Sequence, residues 1–206
     1  MAKVKWIKVE VQDPSERKIK AQPYAVTKLP VTRTTSKHFL EMSNDEEIKK
    51  RIIAVIKEEA PITEWLLIKR VINSFGIQKA GVHIRTKMFD VLDNMKLKIE
   101  EEYDQQIYWR SSQVPQNYRT YRTFSNDEES HRDVTNVPVV EISNAIAETL
   151  IENGTMDYES LVRETACKLG YTRLGKNVTT AMRQGVELAS QRYPIKKDGS
   201  NYCYLR

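Results

Sequence analysis

The chain carries two copies of one sequence pattern, separated by 94 residues. Sliding the sequence against itself at this offset aligns like residues without a gap. The matched positions include two pairs of glycines and a pair of tyrosines: Gly76 with Gly170, Gly81 with Gly175, and Tyr108 with Tyr202. Because glycines, apolar positions and turn residues all keep a single offset, we interpret the pattern as the duplication of one structural unit.

Each copy is predicted to begin with three helices. In the first copy, apolar residues recur at helical spacing from Ile48 to Ile56, and Ala60-Pro61 ends that helix. Thr63 is the expected N-cap of the second helix, and Asp157 is its counterpart in the second copy. The third helix of the first copy is predicted from Ile84 to Met95.

A β-hairpin follows the third helix. In the second copy, Asp198-Gly199 is a strong turn signal between the strands predicted at 193–197 and 202–205. Three helices followed by a two-stranded wing is the winged-helix arrangement, in which the second and third helices form a helix-turn-helix. We therefore predict a mainly α fold with small β-hairpins (α+β), made of two tandem winged-helix-like repeats.

The predicted domain organisation has four parts. A basic N-terminal strand and extended arm (1–44) precedes winged-helix repeat 1 (45–110), and a polar linker (111–137) leads to repeat 2 (138–206). The formal net charge is +5, and residues 1–40 alone carry nine Lys and Arg against three acids. The remaining segments are close to neutral, so they lack the basic stripe expected of a strong nucleic-acid binder.

Several kinds of function are not expected from the sequence. Cys167 and Cys203 show no zinc-binding spacing, and His38, His83 and His131 share no metal spacing, so we expect neither a metal nor a cofactor. No apolar run reaches the roughly 18 residues of a membrane span, and no signal peptide begins the chain, so a cytoplasmic protein is expected. We also expect no active site and no small-molecule substrate.

The segment 170–177 resembles a phosphate-binding loop with one residue missing. Three facts argue against that function: a helix is predicted before Gly170 where a strand is needed, Asn177 replaces the magnesium-binding hydroxyl, and the first copy has the two glycines without the lysine. The glycines are instead expected to form the turn between helices, as a C-cap and a close-packing site.

A further set of segments resembles a known family. These segments are Glu59-Ala60-Pro61-Ile62, Ile68-Lys69-Arg70, Phe75-Gly76-Ile77, Ala80-Gly81-Val82-His83-Ile84, Trp109, Arg119, Arg122, Val140-Glu141-Ile142 and Ala145-Ile146. Over residues 23–206 the chain resembles a bacterial and archaeal domain of unknown function (domain of unknown function 3320). That domain typically lies at the carboxyl end of superfamily I DNA/RNA helicases, often after a Vsr-like endonuclease domain.

The resemblance implies a nucleic-acid-processing context and no catalytic residue in this part. No helicase or nuclease motif accompanies it here, so both an excised domain and a stand-alone relative remain open. The predicted function is a non-catalytic module that binds DNA, or RNA, for a helicase or nuclease in cis or in trans. A protein-docking module of a helicase or repair complex and a stand-alone transcription regulator are the alternatives.

The predicted contact residues lie where a helix-turn-helix and its wing meet nucleic acid. In the second copy they are Thr172, Arg173, Lys176, Asn177, Thr179, Arg183, Lys196 and Lys197. In the first copy they are Gln78, Lys79, His83, Arg85 and Lys87. The second copy is the stronger candidate because its third helix begins with positive charge and Lys196-Lys197 lies near the tip of a well-defined hairpin.

Overall fold

The computed structural model describes residues 18–205. The strand predicted around Val4–Val11 and the basic residues Lys3, Lys5, Lys8 and Arg17 of the predicted arm lie outside the described residues. The chain divides into two compact units. The first unit consists of Ala25–Gln113, and the second unit consists of the described residues up to Tyr24 together with those from Val114 onward.

The helices and strands follow one another along the chain. They are β1 (Lys20–Pro23), α1 (Ser36–Phe39), α2 (Asp45–Glu59), β2 (Ile62–Thr63), α3 (Glu64–Ser74), α4 (Val82–Asp93), β3 (Lys98–Glu102), β4 (Gln105–Trp109), β5 (Thr120–Thr123), α5 (Val139–Asn153), β6 (Met156–Asp157), α6 (Tyr158–Lys168), α7 (Lys176–Arg192), β7 (Ile195–Asp198) and β8 (Asn201–Tyr204). Single 3₁₀ turns lie at Met42–Asn44, Pro115–Asn117, Glu128–Ser130 and Val134–Asn136. The α+β prediction is confirmed.

The same order of elements occurs in both units. Helix, short strand, helix, helix and hairpin run from α2 to β4 in the first unit and from α5 to β8 in the second. The sheets have the orders β2-β4-β3 and β6-β8-β7. Ile62 pairs with Tyr108, and Met156 pairs with Tyr202, so the offset of 94 residues also relates the strand pairings. The sequence did not predict β2 and β6, because two residues leave no period-2 pattern.

The core of the first unit follows from the helical spacing of its apolar residues. Ile48, Ile52 and Val55 lie on one face of α2 and are fully buried. Met88 of α4 and Trp109 of β4 are likewise buried. Each such side chain stabilises the fold by about 1.5–3 kcal/mol relative to an exposed one.

The second unit is organised around α5, most of whose residues are buried. Helix α7 approaches it closely at Gly185, where an added Cβ would overlap the side chain of Ile142. The glycine therefore permits a contact between two helices that any larger residue would push apart.

Residues 111–137 are more ordered than the linker predicted from the sequence. Strand β5 pairs in parallel with β1, and Asn144 of α5 donates from its side-chain amide to the Thr120 carbonyl. Tyr121, Arg122 and Arg132 are all buried. The segment lacks apolar periodicity because backbone pairing and buried charges, rather than an apolar stripe, hold it in the second unit.

A buried ion cluster joins this segment to α5. The fully buried Glu141 carboxylate accepts hydrogen bonds from the guanidinium groups of Arg122 and Arg132 and from the Arg122 backbone N–H. Both guanidinium groups also lie over the ring of Tyr24, 4.7 and 4.0 Å from its centroid. Burial alone would raise the pKa of Glu141, but the two arginines outweigh it and lower the pKa to about 2.

The turns between helices are formed largely as predicted. Gly76 and Gly170 have φ angles of +77° and +97°, which confirms their predicted C-cap role. Gly81 and Gly175 occupy N-cap positions with open space around them, so the close-packing role is wrong for these two. Close packing occurs at Gly170 instead, where an added Cβ would lie 2.6 Å from the Phe124 ring.

Candidate nucleic-acid interface

One face of α7 carries the predicted contact residues of the second unit. Lys176, Thr179 and Arg183 are spaced three and four residues apart, so they lie on the same side of the helix, and all three are exposed. Ala181, Gly185 and Ala189, which lie opposite Lys176 and Arg183 on the helix, are buried. Packing of that apolar side therefore fixes the direction in which the polar face points.

The turn before α7 adds further polar groups to this face. Thr172 and Arg173 are exposed there, and the N-cap Gly175 makes no side-chain capping bond. Arg173, Lys176 and Asn177 line an open cleft of about 450 Å³. Amide groups in the first turn of a helix have no partner within the helix, so they can donate to an anion beside these cations.

Tyr171 and Asp133 also line this cleft. The Tyr171 hydroxyl donates to the Arg132 carbonyl, and burial raises the pKa of Tyr171 above its usual range. Asp133 accepts bonds from the backbone and side chain of Thr135. The lining of the cleft therefore combines two cations with one carboxylate, which would repel an anion placed beside it.

The hairpin of the second unit extends the cationic surface. Lys196 and Lys197 are exposed on β7, and the Lys197 ammonium group lies 5.6 Å from the centre of the Tyr202 ring. Burial raises the pKa of Tyr158, Tyr202 adds to the rise, and the positive charge of Arg183 offsets part of it. Tyr158 is the first residue of α6, and its ring centre lies 6.1 Å from that of Tyr202 on β8.

The first unit presents a different surface at the equivalent positions. Gln78, Lys79, His83 and Arg85 are exposed as predicted, but the ammonium group of Lys87 is half-buried and forms an ion pair with Asp45 at the start of α2. Lys87 is therefore already engaged in the fold. Because the two residues are distant in sequence, no local sequence pattern predicts their pairing.

Two apolar side chains lie exposed on α4 where α7 carries cations. Val82 is 66% exposed and Phe89 is 39% exposed. At the offset of 94 residues, their counterparts are Lys176 and Arg183. The third helices of the two units therefore share a position in the fold but differ in surface chemistry.

The segment resembling a phosphate-binding loop and the histidines His131 and His38 make contacts within the fold. Helix α6 precedes Gly170, so the segment resembling a phosphate-binding loop is the turn between two helices, as predicted. His131 stacks on Phe124 at 4.4 Å between ring centroids. His38 lies in the short α1, where the sequence predicted no helix, and its Nδ1 is 2.8 Å from a Glu41 carboxylate oxygen.

Three further observations concern metal ions, membrane spans and cysteines. Among residues 18–205, no group of three or more His, Cys, Asp or Glu side chains is placed to hold a metal ion. The helices formed by these residues are all too short or too polar to cross a membrane. Cys167 and Cys203 are both free thiols.

Comparison with known proteins adds one match. A search of curated proteins found no match to the chain. A family model described as "Protein of unknown function (DUF3320)" matches residues 37–86, which run from α1 into the first half of α4. This part of the first unit is therefore similar to the DUF3320 family, in agreement with the resemblance noted in the sequence.

Proposed function

We propose that the chain is a non-catalytic module of two winged-helix repeats that binds nucleic acid, DNA in the first instance, through the second unit. The order helix, strand, helix, helix and hairpin, with the short strand paired to the last strand of the hairpin, is the arrangement expected of a winged helix. In that arrangement α6 and α7 are the helix-turn-helix, and β7 and β8 form the wing.

The observation that carries this proposal is the exposure of every predicted contact residue of the second unit. All eight predicted contact residues of the second unit are exposed, and they lie on the turn before α7, on its outward face and on the first strand of the wing. These are the parts of a winged helix that contact nucleic acid. The fold uses none of the four cations Arg173, Lys176, Lys196 and Lys197 in an ion pair within residues 18–205.

The proposed contacts fall into two kinds. Arg173 and Lys176 at the turn and Lys196-Lys197 on the wing would contact phosphates, since long cationic side chains at the edge of such an interface position the protein without reading sequence. Thr179 and Arg183 on the helix face would meet base edges, because an α-helix fits the major groove, and Asn177 in the first turn would add a polar contact beside Lys176. Binding would therefore be strongly salt-dependent.

The biological context rests on the family resemblance. Residues similar to DUF3320 suggest that the chain serves a helicase or nuclease, either in the same polypeptide or as a separate partner. Holding the substrate close to such an enzyme raises its effective concentration at the catalytic site without any chemistry in this chain.

The first unit favours a second candidate function, protein docking. Exposed Val82 and Phe89 replace the cations found on α7. Apolar and aromatic side chains are typical of the centre of a protein interface, whereas nucleic-acid interfaces are polar and positively charged. We therefore assign nucleic acid to the second unit and propose docking for α4 only.

The test compares matched charge reversals in the two units. Binding of fluorescent duplex and single-stranded oligonucleotides is measured at low salt for the wild type, for Arg173→Glu/Lys176→Glu and for Lys79→Glu/Arg85→Glu. Both variants change the net charge by the same amount. The proposal predicts loss of binding in the first variant and a much smaller effect in the second.

Equal losses in the two variants would show that net charge alone governs binding, and would contradict assignment to α7. Absence of wild-type binding to both oligonucleotides would reject the proposed function for this chain. Circular dichroism of each variant checks that the folds are retained.

A further inference from the structure

The first unit contains a second cleft, of about 750 Å³, that the proposed interface does not use. It is lined by two cationic side chains, two amide side chains, one hydroxyl, one valine and one glycine: Arg33, Lys69, Asn73, Gln78, Thr34, Val31 and Gly76. No carboxylate is among these residues. Its volume lies within the range of small-ligand pockets, about 300–1,000 Å³.

The position of Arg33 is fixed by backbone bonds on both sides of it. The N–H groups of Thr32 and Thr34 donate to the carbonyls of Ser74 and Phe75 at 2.7 and 3.0 Å. The Arg33 side chain also passes Gly76, with its Cγ 3.5 Å from where a Cβ on that glycine would lie. The extended segment is therefore held on the carboxyl end of α3, and Arg33 is directed along this wall.

No ion pair or side-chain hydrogen bond among the described residues accounts for the cations Arg33 and Lys69. Within residues 18–205, neither Arg33 nor Lys69 forms an ion pair or a side-chain hydrogen bond. The positions one helical turn from Lys69 carry no acid, being Trp65, Leu66, Ile72 and Asn73.

Capping of α3 does not account for these cations either. Cations near a helix carboxyl end often interact with its last carbonyls. Here the Ser74 carbonyl accepts from the Thr32 backbone and from Arg51, and the Phe75 carbonyl accepts from Thr34. The groups that a capping cation would serve are therefore already bonded.

We propose that this cleft binds a phosphate group carried by a ligand of nucleotide size. Arg33 and Lys69 would hold the phosphate, because guanidinium and ammonium groups form strong charge-assisted bonds with its oxygens. Asn73 and Gln78 would supply donors and acceptors for the attached sugar or base. A free nucleoside monophosphate and the 5′-phosphorylated end of a strand both present this chemistry. The proposal does not depend on nucleic-acid binding by the second unit.

The experiment measures binding of three probes to the full chain at low ionic strength by calorimetry. The probes are adenosine monophosphate, a short 5′-phosphorylated oligonucleotide and the same oligonucleotide with a 5′-hydroxyl. The test variant is Arg33→Gln/Lys69→Met, which removes both charges but keeps the side-chain stems that pack on the cleft wall. The control is Arg163→Met, at the position of α6 equivalent to Lys69.

The expected result is binding of at least one phosphorylated probe, weakened about tenfold or more in the test variant and unchanged in the control. Retained binding in Arg173→Glu/Lys176→Glu would separate this site from the proposed interface of the second unit. Binding of the monophosphate identifies a free nucleotide as a sufficient ligand, whereas binding of the phosphorylated strand alone identifies a strand end.

Failure of every phosphorylated probe to bind would overturn the proposal. So would binding that is equally strong in the test variant, or equally strong for the 5′-hydroxyl strand. If the double variant loses its folded circular dichroism signal, the single change Lys69→Met on the exposed face of α3 replaces it, with the same expected direction.

Discussion

Replacing Glu141 by glutamine removes the negative charge of the buried cluster while preserving the shape of the side chain. Glu141 is completely buried, and its carboxylate pairs with both Arg122 and Arg132, which are themselves about 5% exposed. The substitution would remove the carboxylate with which both buried guanidinium groups pair. Removing one partner of a buried ion pair costs about 3–5 kcal/mol, so we expect the free energy of unfolding of the second unit to fall by an amount of that order.

The same cluster makes the stability of the second unit dependent on pH. The pKa of Glu141 is about 2 in the folded chain and about 4.5 in its ordinary environment. Because the folded value is lower, the ionised carboxylate stabilises the fold above about pH 4.5, and this contribution disappears as pH falls from there through 2. The difference corresponds to about 3 kcal/mol. The glutamine variant should lack this part of the pH dependence.

Hydrogen exchange monitored by mass spectrometry measures the effect locally, in peptides from α5 and β5. The control is Glu152→Gln on the same helix, where an exposed carboxylate pairs with Lys168 and about 1 kcal/mol or less is expected. Equal, small effects of the two substitutions would refute the reasoning. An unchanged pH dependence of stability in Glu141→Gln would refute it as well.

Four further substitutions test the packing and capping of the second unit, each by thermal unfolding. Gly170→Ala should lower the free energy of unfolding by about 1–3 kcal/mol, because Gly170 has a φ of +97° and an added Cβ would overlap Phe124. Gly175→Ser should be neutral or slightly stabilising, because the N-cap position is open and favours serine. Equal effects of the two substitutions would contradict the role given to the positive φ of Gly170. Gly185→Ala should cost about 1–3 kcal/mol, because overlap with α5 outweighs the gain in helix propensity; a stabilised variant would show that the helices can separate freely. Asp157→Ala should cost about 0.5–2 kcal/mol through the lost bond to the Ser160 N–H, and an unchanged melting temperature would disprove this capping role.

Local signals predicted the regular parts of the fold well. Helical spacing of apolar residues located α2 and α4, and the Asp198-Gly199 turn located the last hairpin, because these features depend on residues close in sequence. The N-cap prediction for Asp157 is confirmed by its bond to Ser160. Thr63 occupies the equivalent N-cap position but makes no side-chain capping bond, and its buried hydroxyl has no hydrogen-bond partner.

Features that depend on distant residues were not predictable. The sequence predicts a linker over 111–137 because the segment is rich in polar residues and lacks apolar periodicity, whereas the burial of Arg122 and Arg132 depends on pairing with Glu141 of α5. For the same reason Lys87 was included among the contact residues, although it pairs with Asp45. The cleft around Arg33 was missed because the extended segment and α3 meet only in the folded unit.

The exposed apolar side chains of α4 lie off its apolar stripe. Val82 and Phe89 are seven residues apart, on the side of the helix opposite Ile84, Met88, Val91 and Leu92, and both side chains are exposed. Their significance emerges only at the offset of 94 residues, where the second unit has cations. Comparison of the two copies at this offset therefore shows that their third helices differ in surface chemistry.

The most direct test of nucleic-acid binding by the second unit is the dependence of duplex affinity on salt concentration. If Arg173, Lys176, Lys196 and Lys197 all contact phosphates, the logarithm of the binding constant should fall with the logarithm of salt concentration with a slope of about −3.6. Arg173→Glu/Lys176→Glu should reduce that slope to about half or abolish binding. A slope unchanged by this variant, or no wild-type binding at low salt, would contradict the account.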